Sequence, residues 1–265
     1  MIKATIIADS ITPLDNRLTT FVLKYPRYIH SQFMTHRAFS RNASSSRAIP
    51  VSKMLVEVVL EPVNPSHWGA NQPGMQAKKE IDSSLHPKLL GIWDEARSEA
   101  VRAARMLDQM GVHKQVVNRL IEPFMHITVI CTATDYGNWF KLRCHDAAQP
   151  EIAELATKMK EQYEKKTPKL MEHGKYHLPF ISQSEFDVLD FKDAVKCSVA
   201  RCARVSYKNH DGSEPDVKKD IELHDRLKAD GHWSPFEHIA MSVFSNSRYA
   251  NYRGWIQYRT IISTK

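Results

Sequence analysis

The chain has 265 residues, of which 42% are hydrophobic, 25% charged and 9% aromatic, with 9 Gly and 13 Pro. This composition excludes collagen-like, low-complexity and globally disordered chains, and a chain this long buries a core without staples. Thirty-seven Lys and Arg against 30 Asp and Glu leave +7 at neutral pH, which suits a phosphate-bearing partner, nucleotide or nucleic acid, without choosing between them.

Met1–Asp9 reads as a strand rather than a leader peptide, and no apolar run approaches the ~20 residues that span a bilayer. The expectation is therefore a cytoplasmic protein with no membrane partner. Thr20–Lys24 predicts a second strand ended by Pro26, and Tyr28–Met34 a short helix leading into Thr35-His36-Arg37. Residues 40–50 are dense in hydroxyls and guanidiniums. Residues 61–77 form a long Pro/Gly/Asn loop, and loops of that length are often functional.

Leu89–Met110 predicts an amphipathic helix with Ile92, Trp93, Ala96, Ala100, Ala103, Leu107 and Met110 facing inward and Gly111 as the stop. A second helix is expected from His113 toward Pro123. A third opens at Pro150-Glu151-Ile152, with Ile152, Leu155, Ala156, Met159 and Tyr163 facing the core. Residues 167–193 carry Pro168, Gly174 and Pro179 and read as a joint. A helix follows over Asp216–Asp230, stopped by Gly231. Then come the segment His232–His238, a strand over Met241–Phe244 and an aromatic, basic helix over Tyr249–Arg259. The fold class is mixed α/β (α+β) in a single domain over 1–265, with a twisted sheet and long helices.

Cys131, Cys144, Cys197 and Cys202 form no C-x-x-C pair. They are expected as free thiols, with no metal and no cysteine nucleophile.

Three polar segments carry the chemistry. In the first, Arg37, Arg41 and Arg47 with Ser40, Ser44, Ser45 and Ser46 supply forked and hydroxyl donors suited to phosphate or carbonyl groups, or form a solvated loop. No glycine-rich phosphate loop is present, which excludes Walker and Rossmann sites. In the second, the order of His232, Glu237 and His238 fits neither zincin motif. Ser234 with Glu237 three residues on reads as a helix cap, or as a grip on a polar cofactor. In the third, Arg143 stands just before a helix start, where anionic or carbonyl-rich ligands are favoured.

Taken together, Thr35-His36-Arg37, seven residues, Ser45 and Arg47 resemble the Arg-His-Arg signature of the flavin-dependent thymidylate synthases, the ThyX family. His232–His238, Ala203-Arg204-Val205-Ser206-Tyr207, Leu142-Arg143 through Ala148-Gln149-Pro150-Glu151, and Arg119 before Pro123 resemble further family stretches. The resemblance implies a homotetramer with sites at subunit interfaces, FAD as cofactor, and reductive methylation of dUMP using 5,10-methylenetetrahydrofolate and NAD(P)H. It implies that Gln32, Ser45, Ser46, Arg47, Arg119 and Arg143 hold the nucleotide. Arg143 and Ser45 would be catalytic, Arg143 polarising the pyrimidine carbonyls. His36, Arg37, Asn138, His232, Ser234 and Glu237 would contact FAD.

Thr35, Ala43 and Ser46 depart from the family pattern and leave room for UMP or dCMP as substrate, or for hydroxymethylation. In the family the Ala-Arg-Val-Ser and Pro-Phe-Glu-His stretches precede the signature, whereas here they follow it. The order therefore resembles a circular permutation, with 195–265 standing for the family's N-terminal region. A strand–helix–Arg unit at Phe21–Arg37 and a similar one expected at Ser242–Arg259 fit that reading. A basic nucleic-acid-binding protein without enzyme activity is the alternative, although no nucleic acid is expected if the family reading holds.

Overall fold

The computed structural model describes residues 1–208 and 212–263. Its centre is a five-stranded sheet in the order β3-β4-β2-β1-β5, formed by β1 (Lys3–Ile11), β2 (Arg17–Pro26), β3 (Ser40–Ala43), β4 (His126–Ala133) and β5 (Lys169–Leu170). All neighbours are antiparallel except β1 and β5. Strand side chains alternate between faces. Phe21, Leu23 and Tyr25 of β2 therefore join Ile127, Val129 and Cys131 of β4 on one face, while Val22 and Ile130 point to the other.

The first face is covered by α1 (His30–Met34), α5 (Gly137–Arg143) and α6 (Pro150–Lys165). They bring Phe33, Trp139, Ile152, Leu155 and Met159 onto the sheet. The inward face of α6 is as the spacing predicts. Its lysines also blunt the free edge of β1: Lys158 Nζ donates to the carbonyl of Ile2 at 3.0 Å and Lys166 Nζ to that of Ile6 at 3.3 Å. Capped edge carbonyls leave less template for unwanted strand pairing.

The second face is covered by the chain's last third. There α8 (Phe191–Arg204) supplies Val195, Val199 and Cys202, and the single 3-10 turn Ser234–Glu237 supplies Phe236. α7 (Gln183–Val188) precedes α8 and α9 (Val217–Ala229) follows it, and both pack against it. Fully buried Arg201 joins all three helices, pairing with Asp220 at 3.0 Å and Glu185 at 2.8 Å. Arg204 also donates to Asp220.

A separate apolar cluster sits under α2 (Val51–Leu60), α3 (His86–Gln109) and α4 (Lys114–Val117). Here the expected α3 face is rotated. Val101 and Ala104 are buried, with Trp93, Ala100 and Leu107 beside them, whereas Ile92 is 58% and Met110 76% exposed. Only one flank of α3 meets α2, so the inward stripe is narrower than the run of apolar residues. The helix expected from His113 toward Pro123 is the four-residue α4, followed by turns.

The C-terminal expectation is overturned. Tyr249–Gln257 is not helical. It forms β8 (Arg248–Tyr249), β9 (Tyr252–Arg253) and β10 (Trp255–Gln257), and helix α10 begins only at Tyr258. β10 pairs with β7 (Ala240–Ser242), which also pairs with β6 (Tyr176–His177). Gly254 makes this path possible. Its φ is +72°, and a Cβ there would lie 2.6 Å from the Asn16 amide. Trp255 and Tyr252 are fully buried, so tertiary burial overrides the helical spacing of the aromatics. Ser242–Arg259 is therefore not a strand–helix unit like Phe21–Arg37.

A buried polar chain crosses the second face. Ser10 Oγ bonds His177 Nδ1 at 2.9 Å, His177 Nε2 bonds Thr20 Oγ1, Thr20 bonds Thr132, and Thr132 bonds His238 Nδ1, the last three at 2.8 Å. Burial pushes both imidazoles down to about 3, with the two histidines further disfavouring each other's charge at His177. Burial, helped by the N-terminal ammonium, pushes His126 down to about 4.

Unfolded histidine titrates near 6.5. The unfolded chain therefore takes up protons first, and this contribution is complete above about pH 6.5 and lost as pH falls toward 3. The urea midpoint is expected to drop between pH 7.5 and pH 5, a window above most carboxylate titration. Replacing His177 and His238 by Gln should flatten that drop, and a midpoint unchanged across the window in the parent protein would contradict the assignment.

Candidate active site

Thr35, His36 and Arg37 of the signature lie where α1 ends against α5. His36, Arg37, Asn138, Trp139 and Arg143 line a cleft of about 220 Å³, with Thr35, Leu142 and Asp135 at its rim. His36 is nearly buried and lies edge-on to Trp139, with ring centroids 4.7 Å apart. Its Nε2 accepts a 3.0 Å hydrogen bond from Arg143 Nε, which leaves the proton on Nδ1. Burial, then the charges of Arg143 and Arg41, push its pKa down to about 4. His36 is thus a neutral acceptor that fixes the Arg143 guanidinium from behind. Trp139 is buried and its indole N–H has no partner among the described residues. A larger cleft of about 750 Å³ between β1, β5 and α7 contains none of the expected site residues.

Gln32 reaches the same neighbourhood through a relay. Its Nε2 donates to Gln149 Oε1 at 2.5 Å, and Gln149 Nε2 donates to Glu151 Oε2 at 3.0 Å. Glu151 is only 4% exposed. Burial alone would raise its pKa, yet hydrogen bonds from the Ser66 backbone, the Ser66 hydroxyl and Gln149 hold it below the usual value. Ser66 belongs to the long 61–77 loop and bonds Glu151 Oε1 through its N–H at 3.0 Å and its hydroxyl at 2.9 Å. The loop is therefore moored to the element that carries Gln149.

The hydroxyl–guanidinium segment divides its labour. Its first four residues are the edge strand β3, not a loop. Arg41 donates to the carbonyls of Phe33, Met34 and His36 at 3.4, 2.8 and 3.2 Å. It stitches the end of α1 to β3 and is not a free ligand donor. Ser45 and Arg47 lie exposed in the following turn, where the Arg47 N–H meets Ser45 Oγ at 3.3 Å. Ser46 points the other way. It is 3% exposed, and its Oγ donates to Glu122 Oε1 at 2.9 Å. Arg119 Nη1 meets the same carboxylate oxygen at 2.6 Å.

The His232–His238 segment lies against β3 from the second face. Ser234 does not cap a helix. No side-chain cap forms at this 3-10 turn, and Ser234 Oγ donates instead to Asn42 Oδ1 at 3.2 Å. Asn42 Nδ2 in turn donates to the carbonyls of Cys202 and Ala203 at 2.9 and 3.3 Å, satisfying the C-terminal end of α8. Val205 follows in the left-handed region at φ 58°. Glu237 accepts from Arg259 at 2.5 Å, and His232 is exposed. Two groups of expected residues thus meet through β3, while Arg119 and Ser46 form a third cluster around Glu122.

Cys131, Cys197 and Cys202 are buried. Burial pushes the Cys131 thiol up to about 12 and Cys197 to about 11, and raises Cys202 further still. Protonated buried thiols are poor nucleophiles. Among the described residues no group of three or more His, Cys, Asp or Glu side chains is arranged to hold a metal ion, and no helix is long and apolar enough to cross a membrane.

The family model described as thymidylate synthase complementing protein, Thy1, matches residues 2–169. The chain belongs to this family. Among solved structures, it shares its fold with the UMP/dUMP methylase PolB from Streptomyces cacaoi bound with 5-Br dUMP. The two are 14% identical with a TM-score of 0.52, over 62% of this chain and 90% of that one. The same enzyme bound with 5-Br UMP matches with a TM-score of 0.50 at 14% identity, over 62% and 89%. No curated protein sequence matches the chain.

Gln149, Glu151, Ser66, Asn42 and Glu122 escape a residue-by-residue reading because each acts through another side chain. For Gln149 and Glu151 the signal was their place in the Ala-Gln-x-Glu stretch. Removing the Glu151 carboxylate strands Ser66 and Gln149. Glu151→Ala is expected to make the 61–82 segment at least several-fold more sensitive to limited proteolysis while α6 stays protected. Unchanged cleavage of that segment would contradict the mooring.

Proposed function

We propose that this chain is a flavin-dependent methylase of a pyrimidine monophosphate, converting dUMP to dTMP with 5,10-methylenetetrahydrofolate as carbon donor and NAD(P)H as reductant. Family membership supports the reaction class. The observation that carries the residue assignment is the His36–Arg143 contact, which aims a guanidinium held by a neutral imidazole along a ring-sized cleft.

The donor set fits a carbonyl-rich ring. Arg143, Arg37 and Asn138 line the cleft beside the buried Trp139 ring, and a flavin or a pyrimidine edge presents acceptors to such donors. Ligand sites are commonly ~300–1,000 Å³, so about 220 Å³ takes one ring system and not a whole dinucleotide. That supports a site completed by a second chain, as a homotetramer with interface sites requires.

When bound, the flavin supplies the hydride and one-carbon chemistry that side chains lack. The protein's part is to bind and polarise. Arg143 stabilises charge on the pyrimidine carbonyls as the ring is activated, and its orientation depends on His36 staying neutral. Gln32, held by Gln149, orients the nucleotide. Ser45 and Arg47, exposed in the turn after β3, offer a hydroxyl and a fork with no side-chain partner among the described residues. His36, Arg37 and Asn138 on one side of β3, and His232, Ser234 and Glu237 on the other, are the FAD contacts.

The same reading takes residues 195–265 as the family's N-terminal region in permuted order. Its support is the docking of the Ser234–Glu237 turn on β3 next to the signature, and not the terminal segment, which is not a second strand–helix unit. Because the PolB structures that share the fold are those of a UMP/dUMP methylase, UMP is the second substrate to assay.

The test is mass spectrometry of the product from dUMP, UMP and dCMP with FAD, methylenetetrahydrofolate and NAD(P)H. A product 14 mass units heavier, as one CH₂ requires, is expected from dUMP. Arg143→Ala should weaken nucleotide binding by roughly one to two decades, the worth of a lost charge-assisted hydrogen bond. Protein that retains no FAD on reconstitution and methylates none of the three would refute the proposal.

A further inference from the structure

Glu122 stands where two segments expected to hold the nucleotide converge. Its Oε1 accepts from Ser46 Oγ at 2.9 Å, Arg119 Nη1 at 2.6 Å and Arg27 Nη2 at 2.9 Å. Ser46 comes from the signature turn, Arg119 from the turn after α4, and Arg27 from the end of β2. Three donors on one anionic oxygen are the arrangement a phosphate oxygen demands. Here the chain's own carboxylate satisfies it.

Ser46 is buried, but the charged side chains of the cluster are not locked into the core. The side chains of Glu122, Arg27 and Arg119 are 23%, 20% and 49% exposed. Ion pairs this open contribute little to stability, so the guanidiniums can exchange Glu122 for another anion at small cost. Arg47, whose guanidinium has no partner among the described residues, follows Ser46 directly.

We propose that Glu122 is an internal anion competing with the nucleotide phosphate for Arg119, and that it thereby sets how much phosphate charge the site accepts. The inference rests on the nucleotide-binding reading above. After exchange the carboxylate remains beside the incoming phosphate, so its repulsion grows with ligand charge. A nucleoside without phosphate does not feel it. A monophosphate pays both the lost arginine pairing and the repulsion.

The experiment is calorimetric titration of the full chain with dUMP, UMP and uridine, in the parent protein, Glu122→Gln and Glu122→Asp. The amide oxygen of Gln still accepts from Ser46 and the arginines, which preserves the turn, and thermal unfolding of each variant verifies it. Glu122→Gln is expected to bind both monophosphates about tenfold more tightly and uridine unchanged, with the gain shrinking as salt rises. Glu122→Asp keeps the charge and should stay within about threefold of the parent.

Equal or weaker monophosphate binding in Glu122→Gln, or the same gain in Glu122→Asp, would overturn the proposal while leaving the nucleotide reading intact. A parent protein that binds neither monophosphate would overturn both.

Discussion

The site depends on the polar side chains of one edge strand, Ser40–Ala43. Alternation sends Arg41 to the face covered by α1 and sends Ser40 and Asn42 to the face covered by the C-terminal third. Arg41 ties down three carbonyls around the end of α1 and so sets where His36 begins. Asn42 holds the end of α8 and Ser234 together. Ser40 Oγ receives Gln257 and Asn251, each at 3.0 Å. Segments separated by some 200 residues of chain are thus registered against one another by the side-chain hydrogen bonds of three of the strand's four residues. The backbone pairing that holds those four is with β4, the best-buried strand of the sheet.

Much of the fold is legible in local sequence because the elements concerned are amphipathic in isolation. α6 buries the face that its residue spacing marks, and β1, β2 and α9 lie where the local sequence places them. β3 reads as a loop and Tyr249–Gln257 as a helix because in each the decisive partner is distant in sequence, whereas α2 is absent from the expected elements although Val51, Met54, Leu55 and Val58 follow helical spacing. β3 has almost no apolar content, and its strand state comes from pairing with β4. Tyr252 and Trp255 are helically spaced with their neighbours, yet both are buried by contacts with the N-terminal hairpin, where Trp255 Nε1 donates to the Asn16 carbonyl at 2.9 Å.

The candidate site is legible in the sequence as segments, but the partner that each side chain meets is not. His36, Arg37, Asn138 and Arg143 do share one cleft. Arg41, Ser46 and Arg119, chemically indistinguishable on paper from the residues beside them, are turned toward the protein's own carbonyls and carboxylates. A guanidinium's composition does not state which acceptor it meets. That is set by the backbone direction at each residue, and in a strand it reverses at every step. The residues that aim the others, buried Glu151 and half-buried Asn42, carry no signal of their own beyond an acid or amide in a polar stretch.

Amide hydrogen exchange in Asn42→Ala tests the central claim most directly, because only the β3 side chain is altered. If Asn42 registers the C-terminal third against the signature, exchange should accelerate at Val205–Tyr207 and at Ser234–His238 by at least tenfold, the loss of roughly 1.4 kcal/mol of local stability, while β4 and α6 keep parent rates. Acceleration spread evenly over the whole chain, or none at the two segments, would contradict the account.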